Sequence, residues 1–112
     1  MGRASGRRAI LAVVVSRGES ITLRLSHGGP VTWSYNVCSG SRLERLDRVA
    51  WVDVPPSLTL CTAVMFGLQA RAVKDEPFCI PDALQPGLHR VRIEFRANGL
   101  ARWVYSGAFD VR

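Results

Sequence analysis

Three cysteines and two histidines are the side chains of this sequence best suited to metal or nucleophile chemistry, and their spacing supports neither. Cys38, Cys61 and Cys79 include no C-x-x-C pair. Neither His27 nor His89 has a second ligand type close enough along the chain to share one turn, so a zinc site has no local anchor. The acidic residues are scattered singly, which leaves no calcium loop. No G-x-S-x-G elbow and no S-x-x-K are present, so a Ser–His–Asp set would have to assemble from distant positions with only two imidazoles to choose from. We therefore assign no catalytic residue, no metal ligand and no cofactor. His27, beside Gly28-Gly29, reads as a turn residue, and His89 as a core residue.

The cysteines are better explained as a structural pair. Cys38–Cys61 is the favoured disulfide, with Cys79 left over as a half-buried thiol between Phe78 and Ile80. Cys61–Cys79, or three free buried thiols, are the alternatives, because free cysteine is itself a common core residue. A bridge closing the 38–61 loop would stabilise the fold by about 3 kcal/mol in the chain-entropy account.

Charge gives a second set of candidates. The chain carries 15 basic and 9 acidic residues, a net charge of +6. Lys74 is the sole lysine, so the excess is arginine. Arg90, Arg92 and Arg96 recur at two-residue spacing on one strand face, interrupted by Glu94, and Arg24 on another strand extends the stripe. This is the expected surface for an anionic partner, against the plainer reading of a solvated sheet face. Trp33, Tyr35, Trp51, Trp103 and Tyr105 could supply an aromatic platform, against core packing, which is the expectation for Trp33.

The elements that must position these residues are strands. At 112 residues, 47% hydrophobic and 21% charged, the chain is expected to form one globular domain over 9–112, after a flexible basic tail over 1–8. No apolar run reaches the ~20 residues that span a bilayer. Ile10–Val15 reads as a first strand, with a trimmed export signal as the alternative. Ser20–Ser26 alternates, with Ile21, Leu23 and Leu25 on one face. Val31–Val37 follows with Trp33 and Tyr35 inward. Arg42–Asp47 and Ala50–Val54 form a hairpin about Asp47-Arg48-Val49. Ser57–Ala63 and Leu68–Val73 read as further strands, and Phe78–Pro81 as an edge. Leu88–Arg96 places His89, Val91, Ile93 and Phe95 inward. Asn98-Gly99 turns the chain into Arg102–Tyr105, and Ser106-Gly107-Ala108 bulges before Phe109–Val111. Eight or nine short strands with no sustained helix predict an all-β antiparallel sandwich.

Four pieces of the chain resemble a bacterial immunoglobulin-like domain of secreted proteins and lipoproteins. They are Arg17-Gly18-Glu19-Ser20-Ile21-Thr22-Leu23; Cys38 with Leu43-Glu44-Arg45-Leu46 and Ala50-Trp51-Val52-Asp53-Val54-Pro55-Pro56; Cys61-Thr62; and Leu84-Gln85-Pro86-Gly87-Leu88-His89-Arg90-Val91. The resemblance covers roughly 17–112. His89 stands where that family usually has Tyr, and Phe66–Lys74 lacks its Pro-Gly turn. The resemblance implies an immunoglobulin-like antiparallel β-sandwich, Cys38 and Cys61 as the family's cysteine pair, and an extracytoplasmic setting, secreted or attached to the cell envelope. It also implies a non-catalytic structural, adhesive or accessory role toward an unknown protein or an anionic cell-surface polymer. The rival is a small basic β-barrel binding nucleic acid or another anionic polymer, which a formed disulfide would disfavour.

Overall fold

The computed structural model describes residues 13–56, 61 and 64–112. The expected tail over 1–8, the first part of the Ile10–Val15 strand and nearly all of the Ser57–Ala63 strand lie outside the described residues. In chain order the elements are β1 (Val13–Val15), β2 (Ser20–Ser26), β3 (Trp33–Tyr35), a single helical turn α1 (Val37–Gly40), β4 (Ser41–Asp47), β5 (Ala50–Val54), β6 (Phe66–Leu68), β7 (Val73–Cys79), β8 (Gly87–Ala97), β9 (Leu100–Tyr105) and β10 (Phe109–Val111).

Eight of these strands form one sheet built on β8, and β2 and β7 pair as a second sheet. One edge of β8 takes β10 from Gly87 to His89 and β9 from Arg92 to Ala97. The other edge takes β4 from His89 to Ile93 and β3 at Arg96. β5 extends the sheet beyond β4, β6 beyond β3, and β1 runs parallel to β10. Core residues come from both sheets: Leu23 and Leu25 from β2 join Tyr35, Leu43, Val91, Ile93, Phe95, Phe109 and Val111. The architecture is all-β, with layered sheets around a shared apolar interior, as the alternation predicts.

β8 alternates as expected. His89, Val91, Ile93 and Phe95 are all buried, while Arg90, Arg92 and Glu94 lie on the other face. Both of its neighbours are broken strands, and polar groups mend the breaks. Ser106, between β9 and β10, donates its N–H to the Val91 carbonyl at 2.8 Å and accepts the Val91 N–H on Oγ at 2.9 Å. No backbone group of Val91 is thereby orphaned. The expected bulge at Ser106–Ala108 is this repair. The turn into β9 needs positive φ at two successive residues. Asn98 (51°) and Gly99 (78°) supply it, the signature of a tight hairpin turn. In the β4–β5 hairpin, Arg48 takes the left-handed conformation (63°) without the freedom of a glycine.

Three expectations are corrected. The Val31–Val37 strand is ordered only over Trp33–Tyr35. Asn36 stops it by accepting the Ser39 N–H on its side chain at 3.1 Å and capping α1. Cys38 therefore sits in a helical turn rather than at a strand end. Trp33 is half-buried, and Tyr35 takes the central position instead. Its ring lies 5.6 Å from Phe95, and its hydroxyl donates across the interior to Glu76 on β7, tying the two sheets together. Burial, helped by that carboxylate, pushes the phenol pKa well above its ordinary value. Leu68–Val73 is not a strand: Gln69 to Ala72 form a turn, closed by the Ala72 N–H on the Gln69 carbonyl at 3.0 Å, with Arg71 at φ 59°.

Cys38 and Cys61 form a disulfide, with Cα atoms 5.7 Å apart. It ties α1 to the chain leading to β6, beside a 2.6 Å hydrogen bond from the Asn36 amide to the Val64 carbonyl. Cys79 is free and exposed, not half-buried, because the side chain of the last β7 residue points outward near Ser20 Oγ at 3.5 Å. Denatured, non-reduced protein should show one titratable thiol. The folded protein should label at Cys79 at a rate close to that of the denatured chain, since its sulfur is already open to reagent. Slow labelling of the native state would contradict the exposed position.

His89 generates a second prediction. Its ring is fully buried; Nδ1–H donates to the Gly87 carbonyl at 2.9 Å, and Nε2 is buried with no partner among the described residues. The imidazole thus ties the turn at Gly87 to the strand that follows it. Burial lowers its pKa below the ordinary 6.5. The Gly87 hydrogen bond partly opposes this, and nearby Arg45 reinforces it. The unfolded chain then takes up a proton below about pH 6.5 that the folded chain refuses. Stability is fully present above that pH and falls as pH drops toward the depressed folded value. Urea midpoints should decline as pH drops below about 6.5 in the parent, and less steeply in His89→Gln. Equal slopes would remove His89 as the source.

Candidate docking face on the large sheet

Alternation along four adjacent strands directs one set of planar side chains to the outer face of the large sheet. β5 contributes Trp51 and Asp53, and β4 contributes Arg42 and Glu44. β8 contributes Arg90, Arg92, Glu94 and Arg96, and β9 contributes Trp103 and Tyr105. The cross-strand register sets Glu44 opposite both Asp53 and Arg90, Arg42 opposite Arg92, Tyr105 opposite Arg92, and Trp103 opposite Glu94.

These groups interlock. Arg90 donates through Nε to Glu44 at 2.7 Å, and its guanidinium lies over Trp51 at 4.4 Å and Tyr105 at 4.2 Å. Arg92 lies over the Trp103 ring at 4.2 Å and approaches Glu44 at 3.7 Å and Asp53 at 3.6 Å. Arg42 meets the same Asp53 at 3.3 Å. Arg96 makes two contacts to Glu94, at 3.1 and 3.2 Å. Glu44, on the outer face of the sheet, is nonetheless only 7% exposed, because the arginine stems and aromatic rings cover it. A carboxylate at that depth requires its guanidinium partner, whereas the exposed Arg96–Glu94 pair contributes little to stability.

The four arginines expected to form one surface do not come together. Arg90, Arg92 and Arg96 share the outer face of β8. Arg24 stands on β2 in the other sheet, where it pairs with Asp75 at 2.9 Å and holds that carboxyl below its usual range. Every one of the four has a carboxylate partner. Trp51 and Trp103 enter the site as guanidinium-stacking rings. Arg42, Glu44 and Asp53 were not singled out from the sequence. Their signal was available as period-two alternation on the β4–β5 hairpin, which sets them facing the β8 row.

The other candidates carry less chemistry. An open groove of about 700 Å³ lies between β2 and the β8–β10 edge, and its walls are mainly apolar: Val15, Leu23, Ile93, Phe95, Val104 and Phe109 among them. His27 has both ring nitrogens engaged, accepting from the Gly29 N–H at 3.2 Å and donating to the Leu68 carbonyl at 3.3 Å, so it serves the turn. No group of three or more potential metal-ligating side chains converges among the described residues.

Arg90→Ala should destabilise the fold by about 2–4 kcal/mol, since it strips Glu44 of its closest partner and removes two ring contacts. Arg96→Ala should cost less than about 0.5 kcal/mol. Chemical denaturation of the two variants measures the difference, and comparable losses would contradict the burial of Glu44.

Comparison of the chain with protein-family models, with curated proteins and with solved structures finds no match.

Proposed function

We propose that this chain is a non-catalytic, extracytoplasmic immunoglobulin-like module, serving a structural, adhesive or accessory role by docking a protein partner on the outer face of its large sheet. The observation that carries this reading is the interlocked layer of Arg42, Arg90, Arg92, Trp51, Trp103 and Tyr105. Trp, Tyr and Arg dominate the binding energy of protein interfaces. Here they are already held in place by stacking and ion pairs, so little side-chain entropy remains to be lost on association. Trp103 and Tyr105 stay 42% and 48% exposed in that layer.

The strand arrangement supports the immunoglobulin-like part. A long central β8 lies between β9–β10 and β4, with β5 outside β4 and β1 parallel to β10, while β2 and β7 form the second sheet. Such sandwiches expose the outer faces of both sheets. The disulfide supports an oxidising compartment. No helix among the described residues is long and apolar enough to cross a membrane. The rival reading, a basic domain that binds nucleic acid or another anionic polymer through its arginine stripe, is weakened by the carboxylates paired to Arg24, Arg90, Arg92 and Arg96.

A photo-crosslinking residue placed at Trp103, with Val49 as the control at an exposed turn, tests the docking face in the source cells. A discrete protein adduct from position 103 in the envelope or secreted fraction, absent from position 49, is the expected outcome. Identical patterns from both positions would overturn it.

A further inference from the structure

Resting on that reading of the outer face, we infer that its partner presents a carboxylate, an aspartate, glutamate or chain terminus of a protein, that seats between Arg42 and Arg92 beside Trp103. The layer is short of negative charge at that one place. Four guanidinium groups, Arg42, Arg90, Arg92 and Arg96, face three carboxylates, Glu44, Asp53 and Glu94. Arg90 has Glu44 at 2.7 Å, and Arg96 has Glu94 at 3.1 Å. Arg42 and Arg92 are left to share Asp53, at 3.3 and 3.6 Å.

Those two arginines are direct cross-strand partners, an arrangement that is repulsive unless an anion lies between them. Neither guanidinium makes a hydrogen bond among the described residues. Each has a buried Nε without a partner, and the second carboxylate near Arg92, Glu44, is 3.7 Å away and already engaged by Arg90. The side chain of Asp53 is 44% exposed, so the shared position opens to solvent. An arriving carboxylate can take the place that Asp53 covers only in part, forming the bidentate contacts that suit a guanidinium fork. The flat exposed ring of Trp103 offers apolar area next to it. A protein is favoured over a phosphate or sulfate polymer because the excess within this layer is a single charge at this one pair, while a polyanion requires a continuous row of unpaired cations.

Removing the internal competitor gives the test. Asp53→Asn should raise affinity for immobilised poly-L-glutamate about fivefold over the parent, the worth of roughly one charge-assisted contact. Asp47→Asn makes the same change in net charge at the hairpin end and should change binding less than twofold. Asp53→Ser provides the same release with a different side chain, and adding Arg42→Gln to Asp53→Asn should abolish the gain. Thermal unfolding of each variant checks that it is folded. Equal gains from Asp53→Asn and Asp47→Asn would reduce the effect to net charge and overturn the inference. So would a larger gain on polyphosphate of matched charge. If crosslinks from position 103 persist while Asp53→Asn has no effect, the docking face stands and the carboxylate assignment falls. If both fail, the reading of the face falls with it.

Discussion

The pairing of β8 on both edges is the constraint on which the rest of this structure depends. Four of the other nine described strands pair with it directly and three more through one neighbour, and its eleven residues run the length of the sheet. A strand paired on both edges cannot slip by one residue without exchanging its faces. Here that exchange would drive four charged side chains into the interior and bring His89, Val91, Ile93 and Phe95 out to solvent. The core and the outer arginine layer are therefore two consequences of a single register. The breaks in its neighbouring strands leave that register intact because Ser106 on one side restores the Val91 hydrogen bonds, and α1, capped by Asn36, reconnects β3 to β4 on the other.

The outer layer sets four arginines against three carboxylates, which leaves one local excess of positive charge on that face. Stacking between rings and guanidinium groups fixes the arginine side chains, and the carboxylates below and beside them set where positive charge remains uncompensated. Glu44 is central, because its burial makes the Arg90 contact a structural requirement. Asp53 is more exposed and serves two arginines at once. The same patch therefore divides into a part that holds the sheet face together and a part available to a partner.

Much of this was legible in the sequence. The period-two alternation from Leu88 to Arg96, the Asn98-Gly99 turn and the Arg42–Val54 hairpin follow from local chemistry, and each appears where it was expected. The Cys38–Cys61 pairing also appears as expected, although Cys38 lies in a helical turn and not at a strand end. Less legible were features decided by contacts across the fold. Trp33 and Tyr35 share a strand face, but only Tyr35 has Phe95 beside it and Glu76 opposite, so the smaller aromatic occupies the centre. The apolar alternation at Leu68–Val73 gave way to a turn because Arg71 adopts positive φ, which side-chain type alone does not announce. The arginine stripe was visible on β8, but the carboxylates that neutralise it come from β4 and β5, and Arg24 belongs to a different sheet.

The parallel pairing of β1 with β10 has a mechanical consequence. Because the two strands run in the same direction, the chain enters this ladder at one end and leaves it at the other. Tension applied along the polypeptide from both sides of the domain would pull the strands lengthwise past each other. Their interstrand bonds, with those joining Arg112 to Val15 and Arg17 to Arg112, would then be strained together and not opened one at a time. A domain loaded in this geometry resists extension through the β1–β10 ladder together with the β10–β8 pairing beside it.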